Sequence, residues 1–111
     1  MLAQRLRHRI VIDQLEISRG PNGSQIETWT PFLVGEPAEV APLSQRSREL
    51  VAANAVQGIV NTEIVMRWHP GLKPSMRAVH EGIAYDIHAV VPDKKLRQFV
   101  TLLCEQGAND G

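Results

Sequence analysis

Apolar and polar positions alternate along most of this chain, and a period of two is the mark of half-buried strands. In "LRHRIVID", Leu6, His8, Ile10 and Ile12 share one face while Arg7, Arg9 and Asp13 lie opposite, which predicts a first strand. "RGPNGSQ" then supplies Pro21, Asn22 and Gly23 for a turn. "IETWTPFLV" predicts a second strand that Pro31 bends or confines to an edge, because proline cannot donate to a ladder. "GEPAEVAPL" carries Pro37 and Pro42, which exclude helix and favour a short further edge strand. The clearest alternation puts Val60, Thr62, Ile64, Met66 and Trp68 on one side of a strand and Asn61, Glu63 and Arg67 on the other.

Turn chemistry sets the connections after that strand. His69, Pro70, Gly71 and Leu72 fit a type II turn, with proline presetting φ at the second position and glycine accepting positive φ at the third. In "SMRAVHEGIAYDIHAVV", a hairpin centred on Glu81 and Gly82 opposes Arg77 to Asp86, Ala78 to Tyr85 and His80 to Ile83. Arg77 and Asp86 are therefore expected to form an exposed cross-strand ion pair. "VPDKK" predicts one more turn, and the near-continuous apolar run "LRQFVTLLC" a last strand buried on both faces.

One stretch lacks alternation. "SQRSRELVAANAVQG", residues 44–58, is expected to be an inserted helix or long loop, with Ser44 or Ser47 as its cap, Leu50 and Val51 inside it and Gly58 at its end. The expected fold is all-β: a small barrel or sandwich of about six to seven mostly antiparallel strands with this insertion. At 111 residues the chain is expected to be one domain, with an extended arm at 1–6 and a loosely ordered tail at 106–111.

Composition narrows the function. Lys plus Arg and Asp plus Glu each number 12, so the formal charge is zero and no basic excess supports phosphate-backbone binding as the main activity. The single Cys104 has no partner within the chain and is expected to be a core residue in a reducing setting, or one where redox is irrelevant. No run approaches the roughly 18 apolar residues of a membrane span, and "MLAQRLRHR" lacks the apolar run of a signal peptide. A soluble, untargeted chain with no membrane partner is expected.

Motifs for catalysis or cofactors are missing. The four histidines show no HxH or HxxxH spacing, and the expected hairpin sets His80 and His88 on opposite faces, roughly 17 Å apart along a strand. There is no GxSxG elbow, no GxGxxG and no phosphate-binding loop. No enzyme, metal or cofactor is expected. Trp29, Phe32, Trp68, Tyr85 and Phe99 could build a stacking platform for single-stranded nucleic acid on a small barrel, with Arg46 and Arg48 of the insertion able to touch a polyanion. Trp68 and Tyr85, however, alternate with core residues and read more simply as core.

The ordered set "LRHRIVI", "GSQIETW", "VAPLS", "TEIVMRWHPGLKPSMRAVHEGIAYDIHAVVPD" and "LLCEQ", from about residue 6 to 105, resembles the head-tail joining (head-closure or stopper) family of tailed bacteriophages. Gln45 stands where that family's corner usually has glycine, and Leu72 replaces its commoner isoleucine. The resemblance implies a ring of six or twelve copies in the virion neck. Such a ring closes the DNA-filled head and docks the tail between a portal-side adaptor and a tail-terminator or tail-tube protein. A related tail-completion subunit is the alternative. The segment implied to reach the channel or an adjoining ring comprises Ser44, Gln45, Arg46, Ser47, Arg48, Glu49, Leu50, Val51, Ala52, Ala53 and Asn54. Neutral charge suits a channel that must pass packaged DNA without holding it.

Overall fold

A computed structural model describes residues 6–54, 59–93 and 98–106. Its elements in chain order are β1 (His8–Arg19), β2 (Gln25–Pro42), α1 (Gln45–Ala53), β3 (Thr62–Arg67), β4 (Arg77–His80), β5 (Ile83–Pro92) and β6 (Phe99–Gln106). The six strands close into an antiparallel barrel in the order β1-β2-β3-β6-β5-β4. Closure comes from three rungs between β1 and β4: Val11 with Val79, Ile12 with Ala78, and Asp13 with Arg77.

The core follows the alternation. Ile10, Ile12, Ile64, Met66, Ala78, Tyr85, Ile87, Val100, Leu102 and Cys104 interlock inside, and Phe32, Leu33, Val40, Trp68, Leu72 and Val90 pack around them. Each fully buried large aliphatic side chain here contributes about 1.5 to 3 kcal/mol through the water it sheds. β3 and β6 are also buried on their outer face: Glu63, Val65, Thr101 and Leu103 are all buried. The two-sided burial expected of "LRQFVTLLC" holds for β6, whereas the solvent-facing side expected for Glu63 does not. Glu63 is only 5% exposed, because the corner leading into α1 lies against it.

The two proline-marked segments expected as separate strands are one. β2 runs unbroken from Gln25 to Pro42, with register shifts against β1 on either side of Ile12 and Gly35 at φ 66°. Pro31 and Pro37 are tolerated because β2 has only β1 beside it there; β3 joins from Ala38 onward. β1 is likewise longer than "LRHRIVID", continuing through Leu15 and Ile17 to Arg19.

That continuation makes a ribbon. Beyond Asp13 and Pro31 the two strands pair only with each other, ending in the Gly20–Ser24 turn. The ribbon leaves the barrel and stretches the described molecule to 51 Å against 29 and 26 Å across. At its end Ile17 and Ile26 stay 56% and 43% exposed.

The tight turns form as their residues require. Gly71 takes φ 93° after Pro70, and Glu81 and Gly82 take φ 53° and 79°, the double positive φ of a two-residue hairpin. The hairpin register is the expected one, Arg77 opposite Asp86, Ala78 opposite Tyr85 and His80 opposite Ile83. Of the expected arm at 1–6, Leu6 is described and is buried; of the expected tail at 106–111, Gln106 is described and ends β6. The remaining arm and tail residues, the insertion's end at 55–58 and Lys94 and Lys95 of the "VPDKK" turn lie outside the described residues.

Candidate functional site

The insertion is a helix at its start. Ser44 is extended (φ −78°, ψ 171°) and its Oγ accepts the Ser47 amide at 3.2 Å, closing the first turn of α1. Its own amide donates to the Glu63 carboxylate at 2.7 Å, tying the cap to β3. Ser47 is buried against the barrel, Leu50 and Val51 are half-buried, and Gln45, Arg46, Arg48, Glu49, Ala52, Ala53 and Asn54 are exposed. Arg46 reaches back to donate to Thr101 Oγ1 at 3.4 Å. Asn54 ends the helix, its backbone and side-chain amides both donating to the Leu50 carbonyl. α1 therefore lies along the outer wall formed by β3 and β6. A cleft of about 420 Å³ separates its first turn from that wall, lined among others by Arg46, Glu63, Asp93 and Phe99.

The expected Arg77–Asp86 ion pair is not the one that forms. Arg77 Nε donates to Asp13 at 3.3 Å, and the guanidinium lies 4.4 Å above the Trp29 ring. β1 and β4 are hydrogen-bonded neighbours with Asp13 directly opposite Arg77, a closure contact that hairpin register alone could not reveal. Arg77 Nη1 is buried without a hydrogen-bond partner. The pair is also largely shielded, with the two side chains 12% and 13% exposed.

Histidines take up separate structural contacts. His69 and His88 meet Glu36 and Glu105 at 3.0 Å. His8 Nδ1 accepts the Val40 amide at 3.0 Å, His80 Nδ1 donates to the Arg9 carbonyl at 3.3 Å, and their rings lie 4.8 Å apart. Among the described residues no group of three or more His, Cys, Asp and Glu side chains could hold a metal ion. The five aromatics sit in different surroundings, with Phe32 packed against the core and Phe99 beside Trp68 at the β3–β6 end. Tyr85 is core, Trp68 packs against the core, and Trp29 is covered by Arg77. Cys104 is a wholly buried core thiol, and burial, helped by nearby Asp86, raises its pKa far above the ordinary value.

Residues 1–107 match the phage head completion protein family. The chain belongs to that family. A head completion protein is a structural component of the phage head, so this is a virion protein, in agreement with the family resemblance of the sequence. Two solved structures share its architecture. The solution structure of protein SF1141 from Shigella flexneri 2a superposes with a TM-score of 0.76 at 28% identity, covering 98% of this chain and 99% of that one. A chain from the virion of a native gene transfer agent particle superposes with a TM-score of 0.62 at 15% identity, covering 95% of this chain and 98% of that one. No curated protein matches the chain. Among the described residues of this head completion protein, then, the parts beyond the closed barrel are α1 on the outer wall and the ribbon at one end.

Proposed function

We propose that this head completion protein is a non-enzymatic connector subunit of the virion neck. Identical copies form a ring, six or twelve in number, that closes the DNA-filled head and docks the tail. The match over residues 1–107 to head completion proteins carries this reading. A closed barrel supports it, since a rigid block with few free sheet edges suits stacking between other rings. The whole chain acts as one domain, made in the bacterial host cytoplasm. Its neighbours are a portal-side adaptor and a tail-terminator or tail-tube protein, and packaged DNA passes through the opening.

Within that ring, Ser44 to Asn54 form the segment that faces the channel or an adjoining ring. Its support is that α1 is fixed to the barrel mainly through its cap and Ser47, leaving a row of exposed polar side chains. The test is electron microscopy of particles made without this gene, beside a complemented control. Separate tails and untailed, DNA-leaking heads are expected. Normal infectious particles would remove the neck role.

A further inference from the structure

We infer that the β1–β2 ribbon of one copy docks in an apolar recess at the β3–β6 end of the next, Glu27 against Arg67. The inference rests on the ring reading above. A closed ring of identical subunits needs two different, complementary patches on each copy, since a head-to-tail contact repeats around the circle. The barrel supplies few candidates, and two of them fit each other.

The first patch projects. On the ribbon Ile17 lies directly opposite Glu27, so one face carries an aliphatic side chain beside a carboxylate. Both residues are exposed, and an isolated two-stranded ribbon of this kind is marginal in water without a surface to cover it. The second patch is recessed. Arg67 lies directly opposite Phe99 where β3 meets β6, and together with Trp68, His69 and Gln98 they line a hollow of about 440 Å³. Each patch thus pairs one apolar side chain with one charge across a single rung, and the charges are opposite. Among the described residues neither Glu27 nor Arg67 has an ion-pair partner within its own chain. Joining the patches would cover Ile17 with Phe99 and Trp68 and give both charges a partner. The apolar contact supplies the affinity, and the charge pair sets the register and excludes a mispaired copy.

The experiment uses particles assembled with the full-length chain carrying Glu27→Arg, Arg67→Glu or both. Each single reversal puts like charges together and is expected to cut incorporation into heads by roughly 10- to 100-fold, with the double reversal recovering most of it. Thermal melting of the purified variants keeps folding separate from assembly, and both side chains are exposed, so melting is expected to match the parent. Normal incorporation of the single variants would overturn the contact, as would well-folded double variants that fail to recover. A reconstruction of the neck in parent particles separates the two readings. A ring in which Glu27 and Arg67 of adjacent copies lie far apart overturns this contact alone, whereas particles with no ring overturn both.

Discussion

Gly71 holds φ 93°, and a Cβ built there would sit 3.1 Å from Phe32 Cζ. Gly71→Val is expected to lose about 1 to 3 kcal/mol of stability, since a β-branched residue is strained in that region and Phe32 would have to give way. Unchanged denaturant midpoints in the variant would refute this. Arg77 makes a second prediction, in which geometry outweighs sequence position. Its guanidinium touches Asp13 across the barrel seam, although Asp86 is its hairpin partner. Double-mutant cycles with alanine should therefore give a coupling of about 0.5 to 3 kcal/mol for Arg77 with Asp13, and close to none with Asp86. Equal couplings would show that the guanidinium is shared.

Helix α1 depends on its cap more than on its composition. It has no acidic residue in its first turn and no basic one in its last, and only Ser47 is buried. Ser44→Ala should cost about 0.5 to 2 kcal/mol, and faster amide exchange at Ser47 is its local sign. Exchange rates unchanged at that amide would mean that Glu63 alone fixes the corner. At the scale of elements the chain is largely readable. The hairpin register, the Pro70–Gly71 turn, a serine cap at Ser44 or Ser47 and the two-sided burial of β6 all follow from local rules, because each is decided by residues close in sequence; the structure chooses Ser44. Misreadings arise where distant segments meet. Prolines 31, 37 and 42 correctly signal an edge, but they also suggest two separate strands, since nothing local reveals that a single strand runs unbroken from Gln25 to Pro42. Glu63 reads as solvent-facing because the cap that buries it comes 19 residues earlier. The ribbon escapes the sequence reading although its signal is present: "LEISR" continues the alternation past Asp13.

The whole molecule carries a pH dependence set by its interior. Burial, then Asp86, raises the Cys104 thiol from its ordinary value of 9.0; burial, then Cys104 and Glu81, raises Tyr85 from 10.0. The thiol keeps its proton in the folded barrel where the unfolded chain loses it, and the Tyr85 hydroxyl holds its proton to higher pH folded than unfolded. Their stabilisation is complete below about pH 9 and lost as the pH rises from there, with the thiol accounting for a slope of about 1.4 kcal/mol per pH unit. Denaturant titrations between pH 8 and 11 should show that slope, shallower in Cys104→Ala. Parallel curves for the two proteins would exclude the thiol as its source.

The ribbon has a mechanical corollary. Its strands are not appended to the wall but are the same two strands that form part of it, without a hinge segment between. A pull on the turn at Asn22 along the ribbon's length therefore runs down both strands into the seam with β4 and the junction with β3. There the rungs are loaded together in shear instead of one after another. A subunit gripped by this arm would therefore pass tension at the tip into the barrel wall along two continuous strands.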